Sequence, residues 1–229
     1  MIPDVLFGVS SVVCFALPIC VILFYRLHRH ASLIALMAYY IITIFHCIGS
    51  ATMPPSPDLS NGWEVLYNYI EVPLMMLALL FFCPASHRHQ KLHLFIALFV
   101  AYEAVIFMFC GFTPLASLCV MAPGLLLIVL YAHFLFLRQL HFTVVHGKNN
   151  GRLLMLGAIV FSYSCYLYMF YAYFFQEKKD VTNIYAWHFF SASSAAVMMS
   201  IGLYMMRHRI RQLQDLKIAR QELQMLFQG

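Results

Sequence analysis

Four ionisable side chains interrupt otherwise apolar stretches of this chain: His46, Glu71, Glu103 and His188. A charged group at the centre of a membrane span costs roughly 2.5–3.5 kcal/mol on insertion scales, so isolated ones mark candidate sites. Two imidazoles with carboxylates are a donor set suited to Zn²⁺ or another transition metal. Beside such an ion, Glu71 or Glu103 could serve as the general base for metal-activated water. A second reading needs no metal: the same groups line a cavity for a small or lipophilic ligand. A third makes them a hydrogen-bonded network that fixes helix packing.

Their neighbours share helix faces. Thr43, His46, Cys47 and Ser50 fall at i, i+3, i+4 and i+7, the spacing of one helical face. Tyr67, Asn68 and Glu71 share a face, and Pro73 follows; its missing N–H frees the carbonyl of Tyr69. Tyr185, His188 and Ser191 follow one another at i, i+3 and i+6. Between residues 161 and 175 the chain is unusually aromatic, with Phe161, Tyr163, Tyr166, Tyr168, Phe170, Tyr171, Tyr173, Phe174 and Phe175; those near the outer end suit an interfacial belt, and the mid-span ones could line a pocket. The expectation is that His46, Glu71 and His188 converge, with Glu103, Tyr67, Tyr185 and Ser191 around them.

Seven apolar stretches carry these residues: 4–24, 31–52, 63–83, 91–111, 114–136, 153–175 and 184–206. A hydrocarbon core about 30 Å thick needs roughly 20 apolar residues of helix, and only helices or closed barrels satisfy their backbone there. Of the 229 residues, 63% are hydrophobic and 10% charged, which excludes a soluble globular domain. Met1-Ile2-Pro3-Asp4 lacks a basic leader, so the first stretch reads as a span rather than a signal peptide. The expected fold is an all-α bundle of seven transmembrane helices over residues 1–206.

The net charge of +5 does not point to nucleic acid, because of where it sits. Arg26, Arg29, Arg88, Lys91, Arg138, Lys148 and Arg152 occupy alternate loops, while the intervening loops carry only Lys178 and Lys179. The positive-inside rule then places the N-terminus outside and the C-terminus in the cytoplasm, in a plasma (inner) membrane. On that orientation the four ionisable residues lie roughly 6–12 Å below the outer boundary, at 1.5 Å per residue. His133 sits near the inner end of its span and is not one of them. The seven cysteines lie in or at the edges of spans without CxxC or CxxH spacing, consistent with packing roles.

Residues 207–229 differ in kind. Leu213, Leu216, Leu223, Leu226 and Phe227 can form an apolar seam among Gln, Asp, Lys, Arg and Glu, as in an amphipathic or coiled-coil connector helix. It suits a parallel homodimer leading to a cytoplasmic output domain, or a basic helix lying on anionic headgroups. Leu226-Phe227-Gln228-Gly229 also resembles the remnant of a viral 3C-type protease site.

Two families offer resemblances. Tyr67 to Met75 looks faintly like the third helix of microbial rhodopsins, yet no lysine lies between Ile184 and Met206, which excludes retinal as a Schiff base. Phe45-His46, Glu71-Val72-Pro73 and Trp187-His188 resemble the alkaline ceramidase, progestin/adiponectin receptor and myomaker group, the CREST superfamily. That resemblance implies His46 and His188 as zinc ligands, Glu71 as the nearby acid, and hydrolysis of lipid amides or esters. Where the family carries a serine and a further histidine, this chain has Ile42, Ile184 and Ala192. A sensor or receptor module for a small lipophilic ligand is therefore the leading expectation. The alternatives are a metal-dependent intramembrane hydrolase and a structural subunit of a membrane complex.

Overall fold

The computed structural model describes residues 2–52, 57–83, 88–147, 149–175 and 181–227. Among them run α1 (Ile2–Phe24), α2 (Ala31–Thr52), α3 (Pro57–Leu79), α4 (Arg88–Cys110), α5 (Pro114–His146), α6 (Asn150–Phe175) and α7 (Val181–Phe227), with no strand. Six of these helices are long and apolar enough to cross a membrane, and in α1 the described apolar stretch is Val9–Phe24. The chain is thus a multi-pass membrane protein by the length and composition of its helices.

Helix ends follow local signals rather than the limits of the apolar runs. The fifth apolar stretch stops at 136, but α5, 33 residues long, continues to His146. It opens at Thr113, whose hydroxyl accepts the Ala116 N–H at 3.3 Å, with Pro114 in the first turn. It closes at Gly147, which turns left-handed (φ +63°) and donates its N–H to the Thr143 carbonyl at 2.8 Å. Membrane thickness limits how far a helix must stay apolar, whereas a cap decides where it stops. For the same reason α7 passes Met206 without a break and runs 47 residues to Phe227. The side chains of the expected heptad seam, Leu213 to Phe227, lie outside the described residues.

Six helices close a ring in the order α1, α2, α3, α5, α6, α7 and back to α1. The direct contact of α3 with α5 leaves α4 outside the ring, packed against those two. Burial follows that arrangement: 56% of the α3 span is buried against 17% of the α4 span. Small residues set the closest approaches, as they do between helices in lipid. Gly151 of α6 and Gly202 of α7 face each other so closely that a Cβ on Gly151 would come within 2.8 Å of the Gly202 carbonyl oxygen. Gly49 of α2 presents bare backbone to the Trp63 indole of α3, 2.9 Å from where a Cβ would sit.

Candidate functional site

A cavity of about 140 Å³ lies inside the ring, in the half nearer the α2–α3 and α6–α7 connections. Every ring helix contributes to its wall, for example Phe15 of α1, His46 of α2, Glu71 of α3, Ser117 of α5, Tyr163 of α6 and His188 of α7. No described residue of α4 does. Three expected residues from three different helices, His46, Glu71 and His188, therefore line one space, and Tyr67 joins them.

Glu71 forms the most buried polar wall, with 2% of its surface exposed. Its Oε1 accepts the Tyr163 hydroxyl at 3.0 Å, while its Oε2 is buried with no hydrogen-bond partner. Buried acceptors are almost always satisfied, so this oxygen is an unpaired acceptor on a residue of the cavity wall. His188 supplies another: its Nδ1 is buried without a partner, and its ring packs 4.7 Å from that of Tyr166. On the α2–α3 side, His46 is sandwiched. Its ring stacks on Tyr67 at 4.0 Å and lies parallel to Trp63 at 6.3 Å, tilted by only 8°.

Hydrogen bonds brace the wall around these groups. The Thr43 hydroxyl donates to the Tyr39 carbonyl at 2.9 Å and lies 3.3 Å from the Tyr67 hydroxyl, joining α2 to α3. Asn68 Nδ2 donates to Ser117 Oγ at 3.2 Å, joining α3 to α5. Cys47 lines the cavity but Ser50, on the same sequence face, is exposed and does not.

The other expected residues go elsewhere. Glu103 is buried in the contact of α4 with the ring, and its Oε1 has no partner there. Because α3 meets α5 directly, α4 never reaches the cavity, and Glu103 is not part of its wall. Ser191 donates to the His188 carbonyl at 2.8 Å and faces a groove on the outside of α6 and α7. The Tyr185 side chain lies outside the described residues. Tyr163 emerges as the partner of Glu71, signalled only by the aromatic run. Tyr39 lies one turn before Thr43 on the α2 face already marked out, whereas Phe15 lies on a helix that no polar spacing marked out.

The outer groove has a volume of about 520 Å³. Phe161, Tyr168, Trp187 and Phe190 line it and are exposed. It shares Met169 and His188 with the internal cavity, so those two side chains form the partition between them.

Among the described residues, no three His, Cys, Asp or Glu side chains come together in a way that could hold a metal ion. The pairing of His46 and His188 thus lacks a third donor of that kind. No protein-family model matches the chain, and no curated protein or solved structure matches it either.

Proposed function

We propose that this chain is the sensor or receptor module of a membrane signalling protein. A small or lipophilic ligand binds in the ring cavity, and the signal leaves through α7. The membrane is the plasma (inner) membrane, crossed seven times, with the N-terminus outside and the cavity in the outer half. The observation that carries the reading is the shared wall. One space touches all six ring helices, and two residues of its wall, Glu71 and His188, each carry a buried polar atom without a partner, Oε2 and Nδ1. A ligand satisfying both would bridge α3 and α7.

Two further features support it. The groove between α6 and α7 adjoins the cavity at His188, which suits a ligand arriving sideways from the bilayer. The helix that presents His188 also continues unbroken to Phe227, roughly 60 Å further on at 1.5 Å per residue. A ligand that binds two states of α7 with different affinity shifts their populations, and a continuous helix carries that shift outward. The hydrolase alternative needs a three-donor metal set, and among the described residues no His, Cys, Asp or Glu group of that size supports it.

Native mass spectrometry of the protein released from its own membranes tests the reading. A small molecule should leave with the wild type and be missing from His188→Ala. A wild type that releases nothing, or a variant that retains the same molecule, would count against it.

A further inference from the structure

Glu64 and Glu71 both line the cavity, seven residues apart on one face of α3, which separates them by roughly 10 Å along the helix. Glu64 is exposed and Glu71 is buried, so one acid stands at the mouth and the other on the floor. No lysine or arginine is among the described residues of the wall. Among those described residues, the other groups that can become cationic are His46 and His188. The space is therefore acidic, and a buried carboxylate needs a partner for its charge. The Tyr163 hydroxyl meets one oxygen only.

The rest of the wall is aromatic. Tyr39, Tyr67, Tyr166, Phe170, Phe174 and Phe189 enclose the space, and the faces of such rings attract cations electrostatically. Aromatic walls around one unpaired carboxylate oxygen suit the recognition of an N⁺–H donor on a compact apolar body. The size agrees, since a cavity of about 150 Å³ holds one benzene-sized molecule.

We propose that the cavity binds a small organic ammonium ion, a protonated primary or secondary amine about the size of one aromatic ring. Its N–H donates to Glu71 Oε2, and its body packs against the rings. Glu64 raises the local concentration of cations at the mouth. His188 Nδ1, on the opposite wall, accepts a second N–H or a hydroxyl of the same ligand when that nitrogen is unprotonated. This rests on the receptor reading and names its ligand class.

The test compares benzylamine with its neutral near-isostere benzyl alcohol on the full chain in lipid nanodiscs. The chain has two tryptophans, one beside His46 at the cavity and one in the outer groove. Trp187→Phe therefore leaves Trp63 emission as a reporter of the cavity. Benzylamine should change that emission saturably, and benzyl alcohol should bind about tenfold more weakly or worse, the difference expected of a charge-assisted hydrogen bond. Glu71→Gln, which still accepts from Tyr163, should remove the preference for the amine. Glu64→Gln should reduce amine affinity about threefold or less, and should do so only at low salt.

Equal binding of amine and alcohol to the wild type overturns the proposal, and means that a protonated Glu71 meets neutral ligands. No binding of either overturns it too, as does a preference for the amine that survives Glu71→Gln. Release of an uncharged molecule in native mass spectrometry would defeat the amine while sparing the receptor. Saturable amine binding that leaves the 207–227 helix unchanged would do the reverse. The wild-type comparison decides the matter even if Glu71→Gln fails to fold.

Discussion

Glu71 and Glu103 are two carboxylates of nearly equal burial, 2% and 4% exposed, on helices of almost opposite character. Glu71 sits on α3, inside the ring, with a tyrosine on one oxygen and a cavity at the other. Glu103 sits on α4, outside the ring, its Oε1 unpartnered and no described cavity beside it. Near Glu103, the hydroxyl of Tyr69 is likewise buried without a partner. Burial by itself does not make a site. A buried acid becomes chemically useful where several helices leave room beside it.

The largest expected contrast lies in packing. Leu79 of α3 is 1% exposed and Leu98 of α4 is 61% exposed. Leu79→Ala should lower stability by about 2–3 kcal/mol, because packing holds helices together in lipid. Leu98→Ala should stay within about 0.5 kcal/mol. Thermal unfolding in nanodiscs measures both, and equal losses would mean that α4 belongs to the core.

Next come the acids themselves. Glu71→Leu removes the carboxylate that accepts the Tyr163 hydroxyl and should destabilise by about 1–3 kcal/mol. Glu103→Leu removes a carboxyl with an unsatisfied oxygen and should be neutral or stabilising. The two changes should add within about 0.5 kcal/mol if the regions are independent. Loss of stability on Glu103→Leu would show that α4 carries a polar contact of its own.

A smaller effect should follow from cutting the α3–α5 bond that shuts α4 out. Asn68→Ala removes the hydrogen bond to Ser117 and should cost about 0.6 kcal/mol, the average for such pairs between membrane helices. A much larger loss would make that bond the pin of the ring. The subtlest readout is in the α7 extension. Single cysteines at Leu216 and Leu223 should crosslink in membranes while those at Asp215 and Glu222 do not, as a parallel seam requires. Equal yields at all four would favour a helix lying on the membrane surface.

The sequence alone determined the membrane-spanning helices, because the thickness of the hydrocarbon layer and the need to satisfy every backbone N–H and C=O leave few alternatives. It also singled out His46, Glu71, Glu103 and His188, because polar groups in such stretches are few enough to stand out individually. The true end of α5 was partly legible: the stop at Gly147 is a local signal, but it lies eleven residues past the apolar limit. Which polar residues meet was not legible. Glu71 and Glu103 look alike along the chain, and each lies about eight residues from the outer end of its stretch. Only the direct contact of α3 with α5 places one at the cavity and the other against a peripheral helix. That contact depends on how side chains on different helices fit, as where Gly124 of α5 takes up Val72 of α3. Fit of this kind is a property of pairs of surfaces far apart in sequence, so no spacing within a single helix encodes it.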